Sequence, residues 1–351
     1  MMEEQTGKIA PSFFDHYLHG KLGASRAEIR VGPQFGVDVS VINLPNGQSM
    51  AMASDPLSLI PTLGLRESAW LSVHLTANDI ATTSHAPSYG QFVLNLPAGF
   101  SQTDFETYWD YIHQFCLEAG IAVTGGHTGF IEGQNSTIAG GATFVAIAPQ
   151  GELLTSNGAE NGNAILVTKG CAISSTAILA KSFPETVKNK AGLEHFHTAC
   201  ESFYDTSVLE DALVAADGPN HNGVTAMHDV TEGGVVGAIY EMAVASGHGA
   251  MIYSDELPVT ETQQQVCRVF DLDPIYCIGA GALVITCKKA ASDKIKFKLG
   301  SKGILCAEVG QITGKDEGIV ISQEDKFFQL NYQEKDPYWA AFFKALKSGW
   351  K

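Results

Sequence analysis

The alternation of apolar and polar positions divides the chain into two α/β blocks, each with strands ahead of amphipathic helices. In the first block, Val37 to Asn43 and Ser49 to Asp55 read as short strands. Leu44-Pro45-Asn46-Gly47 between them reads as a hairpin turn, because Asn-Gly tolerates the positive φ that a tight turn needs. A helix is predicted over 67–81 and a strand over 89–96. Phe105, Trp109, Ile112, Phe115 and Cys116 then recur at helical spacing, with Gly120 as the stop. Residues 121–124 predict a strand that runs into a glycine turn, and 139–148 another strand.

The second block opens near Asn163 with a strand over 164–168, followed by helices over 175–181 and 205–216. A short strand over 225–227 enters the turn His228-Asp229-Val230-Thr231. The helix after it, about 232–246, places Val235, Ile239, Met242 and Ala243 on one stripe. Asp229 or Thr231 is its candidate N-cap, and Glu232 lies in its first turn, where the helix dipole favours a carboxylate. The pair Gly233-Gly234 inside that turn costs about 1 kcal/mol per glycine, which close approach of a substrate or of a packed strand would justify. Strands over 282–287, 304–309 and 319–322 complete the block. The polar, glycine-rich stretch 151–162 is the natural boundary, giving domains over 1–155 and 160–330. The aromatic, basic tail over 331–351 reads as a docked helix.

Length supports this division, since 351 residues exceed what one core usually serves. Composition makes the chain globular, with 45% hydrophobic and 17% charged residues. The formal charge of −16 argues against nucleic acid as a partner, because binding a phosphate backbone needs a basic face. The apolar run over 233–252 is interrupted by Glu241 and His248, so it falls short of the ~20 clean residues of a membrane span. Residues 1–6 lack the basic and apolar regions of a secretory signal. Seven cysteines form no Cys-x-x-Cys pair and sit mostly in apolar runs, which suits a reduced, cytoplasmic protein.

Several signatures are missing. The Gly-Lys pairs at Gly7, Gly20 and Gly314 are followed by Ile, Leu and Asp, so none forms a P-loop. Dinucleotide-binding, zinc-protease and serine-hydrolase motifs are absent too. What is present is a set of carboxylates at the ends of apolar segments: Asp38, Asp55 and Asp79. Taken singly, each reads as a turn cap or a solvated helix end; together they suit Mg²⁺, which takes a few carboxylates plus substrate phosphates. Thr124-Gly125-Gly126-His127-Thr128 follows a strand, and paired glycines let backbone N–H groups approach an anion, or simply make a turn. Glu194-His195-Phe196-His197 lies on a helical stretch that spaces its two imidazoles poorly for one metal, and His74, His85 and His113 read as structural.

In order and spacing these segments resemble the aminoimidazole-ribonucleotide synthetase-like (PurM-like) superfamily, and within it the HypE-related branch. The residues that carry the resemblance are Gly36-Val37-Asp38-Val39-Ser40, Ser54-Asp55-Pro56, Ala77-Asn78-Asp79-Ile80-Ala81 and Thr124-Gly125-Gly126-His127-Thr128. Val167-Thr168-Lys169-Gly170, Met227-His228-Asp229-Val230-Thr231-Glu232-Gly233-Gly234 and Ile278-Gly279-Ala280-Gly281 follow, so the likeness spans residues 7 to 325. The resemblance implies a two-domain α/β (α+β) fold whose N-terminal domain joins a second copy in a dimeric β-barrel, with a C-terminal α/β sandwich. It further implies ATP and Mg²⁺ as cofactors and phosphorylation of an amide-type oxygen or of a small acceptor. By motif position Asp38, Asp55 and Asp79 would hold the metal, and Asn78, Gly125, Gly126, His127 and Thr128 the nucleotide. Asp229 and Glu232 would face the substrate. Lys8, in Gly7-Lys8-Ile9, either closes over the phosphates or belongs to an unattached terminus.

Three departures stand out. Val37 occupies a position that is often acidic, and His127 replaces a carboxylate, which removes two anionic ligands. The chain also ends Ser348-Gly349-Trp350-Lys351, without the terminal cysteine that HypE modifies. The acceptor is therefore open, and two other readings stand beside it: a small-molecule kinase like thiamine-monophosphate kinase, and a non-catalytic nucleotide-binding homologue.

Overall fold

The computed structural model describes residues 7–9, 11–324 and 326–351; residues 1–6, read above for a signal, lie outside the described residues. The first domain is built on a six-stranded sheet: β1 (Ile29–Val31), β2 (Ser40–Asn43), β3 (Gln48–Ser58), β4 (Tyr89–Pro97), β5 (Ala122–Ile131) and β6 (Ile138–Pro149). Their spatial order is β1-β2-β3-β6-β4-β5. The Asn46-Gly47 turn joins β2 to β3 as expected, with Gly47 at φ +79° and Asn43 opposite Ser49. After a single helical turn, α1 (Pro11–Phe13), two long helices cover the sheet: α2 (Leu65–Ala81) and α3 (Gln102–Glu118). Ser101 caps α3 by accepting the Asp104 N–H at 3.0 Å, and Tyr108, Ile112, Phe115 and Cys116 turn into the core beside Phe92, Leu94 and Phe144. The other face of this sheet stays open, and it carries Tyr89, Val93 and Ile147.

One predicted feature differs. Residues 124–128 form no turn: β5 runs straight through Gly125 and Gly126, parallel to β4. The reason is packing, since a Cβ at Gly126 would strike the Phe92 carbonyl, so glycine lets β5 lie close against its neighbour.

The second domain has a seven-stranded sheet of β7 (Ala164–Thr168), β8 (Val224–Asp229), β9 (Gly249–Tyr253), β10 (Leu283–Cys287), β11 (Cys306–Thr313), β12 (Ile319–Gln323) and β13 (Lys326–Gln329). The order is β13-β12-β9-β11-β7-β10-β8. Strands β7 and β10 are buried along their whole length, which explains their unbroken apolar runs. The flanking helices are α4 (Ile173–Ser182), α5 (Pro184–Lys190), α6 (Leu193–Glu201), α7 (Leu209–Ala216), α8 (Gly234–Ala245), α9 (Glu261–Val269) and α10 (Ser292–Ser301). The helix expected over 205–216 is broken, with a 3₁₀ segment over Ser202–Thr206 and α7 starting at Leu209. In the tail, Asp336 caps α11 (Pro337–Lys347), and Tyr338, Phe342 and Ala345 enter a cluster shared with Leu71 of α2 and Phe183.

Candidate active site

Backbone contacts bring the predicted carboxylates of the two domains together. Gly36, at φ +73°, lies so close to the Glu241 carbonyl of α8 that no side chain fits there, and Gln34 Nε2 donates to the Ala245 carbonyl at 3.0 Å. Asp38, two residues on, is thereby held against the second domain. Its Oδ1 is 3.2 Å from His228 Nδ1, and its Oδ2 accepts the Ser156 hydroxyl at 3.1 Å. Asp55 comes from β3 and Asp79 from the last turn of α2.

Asp229 ends β8 opposite Leu283, so the expected turn at 228–231 starts later than predicted and neither Asp229 nor Thr231 caps α8. The cap residue is Gly233, at φ +83° and with no side-chain cap. Gly234 follows at φ +65°, where a Cβ would sit 2.5 Å from the Ile275 carbonyl. A packed loop accounts for Gly234, and the positive φ of the cap position for Gly233.

The electrostatics reveal an excess of negative charge. Burial raises the Asp79 pKa well above the usual range, and repulsion from Asp229, Asp55 and Asp38 adds to it. Asp229 is pushed up to about 8 by burial and by Asp38. Asp55 rises to about 6, and Asp38 rises as well, both chiefly through burial. Asp79 and Asp229 therefore lie within the fields of Asp38 and Asp55. Two cations partly balance them. Burial opposes the His228 charge, but Asp38 and Glu241 outweigh it and hold the ring at about 9. Lys8 behaves alike: Glu241 offsets its burial, and the ammonium rises to about 12.

Glu241 was legible only as a break in an apolar run. It is 2% exposed, and it accepts Lys8 Nζ at 2.9 Å and the Tyr332 hydroxyl at 2.7 Å. His228 Nε2 lies 3.3 Å from it without forming a hydrogen bond. Burial acts to raise the Glu241 pKa, yet Lys8 and His228 bring it down to about 2. The tail contributes too: Trp339 Nε1 donates to Glu232 Oε1 at 2.8 Å, and the Gly233 N–H donates to Asp336 at 2.7 Å. No local motif marked Tyr332, Asp336 or Trp339, because their partners lie far away in sequence.

Of the remaining candidates, Lys8 and Glu232 meet: the Lys8 N–H donates to Glu232 Oε2 at 2.5 Å. Lys8 is thus attached, and it faces carboxylates of the second domain. Asn78 departs from expectation. It is fully buried, its Nδ2 donates to the Thr206 carbonyl at 2.9 Å, and its Oδ1 accepts the Val208 N–H at 2.8 Å. With both amide atoms engaged, it fastens α2 to the second domain. Gly125, Gly126, His127 and Thr128 lie on the exposed edge strand β5, and neither His127 nor Thr128 exchanges an ion pair or hydrogen bond with the acidic cluster among the described residues. Val37 packs against the core of the first domain.

One ligand atom each from Asp38, His228 and Asp229 fall within 4.8 Å of one another, as in a metal site. His228 Nδ1, however, sits 2.7 Å from the Asp229 backbone oxygen, where it must carry a proton and donate. Its Nε2 faces Glu241 at 3.3 Å, so the ring serves as a counter-charge and oxygen atoms remain as the donors. Such a set fits a hard divalent cation such as Mg²⁺.

Comparison with known proteins places this geometry in context. The family model described as "AIR synthase related protein, N-terminal domain" matches residues 36–148, and its C-terminal counterpart matches 160–323. Carbamoyl dehydratase HypE of Cupriavidus necator is 30% identical over 262 residues, which covers 74% of this chain and 71% of that protein. The crystal structure of Escherichia coli HypE superposes with a TM-score of 0.71 at 21% identity, covering 93% of this chain and 96% of that one. A hydrogenase maturation protein HypE solved in complex with ATP gives 0.68 at 18% identity, covering 94% of each chain. The chain belongs to the AIR synthase related protein family.

Proposed function

We propose that the protein is an ATP-dependent enzyme that phosphorylates a carbonyl or amide oxygen of an acceptor and so turns that oxygen into a leaving group. The observation that carries this reading is the set Asp38, Asp55, Asp79 and Asp229, carboxylates drawn from two domains: desolvation raises the pKa of all four, acidic neighbours in the set raise Asp79 and Asp229 further, and Asp38 and Asp229 bring ligand atoms within 4.8 Å of each other. Repulsion of this kind is relieved by a cation, and nucleotide phosphates supply the further oxygens that Mg²⁺ prefers. Asp38, Asp55 and Asp79 would hold the metal. Mg²⁺-ATP would supply the phosphoryl group and neutralise the charge that develops on it.

The chain's own residues then position the partners. Asp38 is pinned by Ser156 and His228, which hold its carboxylate in one orientation, and from there it would bind the metal. Asp229, with a pKa of about 8, is poised to hold a proton near neutrality and to exchange it with an acceptor. Glu232 is oriented by Trp339 on the same side. The exposed backbone at Gly125 and Gly126, with His127 and Thr128, is the proposed phosphate-facing stretch; it would be completed when the open sheet face, with Tyr89, Val93 and Ile147, meets a second copy in a homodimer. The carbamoyl dehydratase name of the Cupriavidus relative makes an amide oxygen the first acceptor to try.

Calorimetry with Mg²⁺ and ATP tests the reading. Binding that needs both components, and that Asp55→Asn weakens, supports it; no heat at millimolar nucleotide rejects it. ADP release across a panel of amide, carbamoyl and alcohol acceptors then identifies the reaction.

A further inference from the structure

Glu232 and Glu241 stand out because one residue from outside the second domain, Lys8, reaches both of them. Both flank the first turns of α8, in a helix otherwise apolar, and Glu241 is buried. The only lysine that the described ion pairs give to Glu241 is Lys8, from the far N-terminal end of the chain, 2.9 Å away. The same residue's backbone N–H reaches Glu232 at 2.5 Å. Gly7 permits this, since a Cβ there would lie 2.7 Å from Glu232 Oε2. Each carboxylate is also fixed from behind by an aromatic donor, Tyr332 on Glu241 and Trp339 on Glu232. His228 Nε2, buried and without a hydrogen-bond partner, points at the same Glu241 oxygen that takes Lys8. The lysine side chain is still 45% exposed, so its seat opens to solvent.

We infer that this pair of carboxylates forms a receptor for a cationic nitrogen group, a primary ammonium or a guanidinium carried beside an N–H donor, and that Lys8 occupies it as an internal stand-in. The physical basis is preorganisation. Two carboxylates aimed by Tyr332 and Trp339 recognise an N–H and a positive charge at a fixed spacing, and the hydrogen bonds of charged groups are the strong ones. Among the described ion pairs, the second domain gives Glu241 only His228, whose ring already faces Asp38. The inference deepens the reading above: it gives the acceptor a charge class and places it next to Asp229, the next residue after His228.

The probe is N-acetyl-lysine methylamide, with N-acetyl-norleucine methylamide as its neutral match, titrated into the full-length protein without nucleotide. Binding is followed by the indole NMR signal of Trp339. The Lys8→Ala protein is expected to bind the lysine probe roughly tenfold more tightly than wild type, since the tethered competitor is gone. It should ignore the norleucine probe, and Lys8→Ala combined with Glu241→Gln should lose the binding. Lys8→Met, which keeps the aliphatic stem, serves if Lys8→Ala loosens the segment. Failure of both Lys8 variants to bind the lysine probe, equal binding of the neutral probe, or indifference to Glu241→Gln overturns the inference. Calorimetry with Mg²⁺ and ATP on wild type is scored separately, so a chain that binds nucleotide but no cationic probe keeps the ATP reading and loses this one.

Discussion

Asp38 Oδ1 and His228 Nδ1 meet at 3.2 Å across the boundary between the two domains. The contact depends on Gly36, whose missing side chain lets the segment before β2 press against the Glu241 carbonyl. One glycine in a loop thus sets how closely Asp38 of the first domain approaches α8 of the second. Preorganised charge of this kind is what a phosphoryl-transfer site needs, because positioning and electrostatics supply most of its catalysis.

Asn78 makes the same boundary testable as a matter of stability. Asn78→Ala removes a donor and an acceptor from a fully buried site and leaves the Thr206 carbonyl and the Val208 N–H without partners. Each orphaned group costs about 1–3 kcal/mol, so the variant should lose roughly 2–6 kcal/mol in urea unfolding. Nucleotide affinity of the surviving folded protein should change little. A variant of normal stability with weakened nucleotide binding would show that the amide touches the ligand after all.

His74 provides a pH prediction. Its ring stacks on Trp70 with centroids 3.6 Å apart, Nδ1 meets the Ser207 hydroxyl at 2.9 Å, and Nε2 is buried without a partner. Burial, then the Lys169 charge, lower its pKa from 6.5 to about 4. The unfolded chain therefore takes up a proton near pH 6.5 that the folded chain refuses until about pH 4. The stability contribution is complete above the higher value and is lost as pH falls between the two, by up to ~3 kcal/mol. His74→Gln should flatten that part of the melting-temperature profile. An unchanged profile would place the acid sensitivity elsewhere.

Much of this arrangement was readable in advance, and the failures share a cause. Asp38, Asp55 and Asp79 each follow an apolar segment and stand out only as a set with their flanking motifs, while Asp229 is marked by the strand-to-helix turn that holds it. Glu241 sits inside an apolar helix, where sequence shows only an interruption; its partners Lys8 and Tyr332 lie 233 and 91 residues away. The Gly125-Gly126 pair misled in the opposite sense. Paired glycines permit a turn or a close strand pairing equally well, and the choice is made by the Phe92 backbone on β4, which no local pattern encodes.

The two uses of glycine can be separated by measurement. Gly47 and Gly234 both have positive φ, +79° and +65°, but only Gly234 is crowded, with a virtual Cβ 2.5 Å from the Ile275 carbonyl and 2.9 Å from that of Cys277. Gly47→Ala should cost about 1 kcal/mol, the conformational penalty alone. Gly234→Ala adds a backbone collision and should cost about 3 kcal/mol or more. Equal losses in the two variants would mean that α8 shifts to make room, and the site around Glu232 would shift with it.

Asp79 carries the sharpest prediction, because stability and binding should move in opposite directions. Its side chain is half-buried; desolvation penalises the charged carboxylate, and Asp229, Asp55 and Asp38 repel it. No side-chain hydrogen bond to it is present among the described residues to offset this. Asp79→Asn removes the repulsion at nearly constant volume, so the metal-free protein should gain about 1–2 kcal/mol in urea unfolding at pH 8. The same change deletes an oxygen anion from the cation site, and affinity for Mg²⁺ or Mn²⁺, read by calorimetry, should fall at least about tenfold, equivalent to ~1.4 kcal/mol. A site kept unstable for binding must show both effects. If Asp79→Asn destabilises the protein and leaves divalent-ion affinity intact, the carboxylate is a structural group and the cation belongs to Asp38, Asp55 and Asp229 alone.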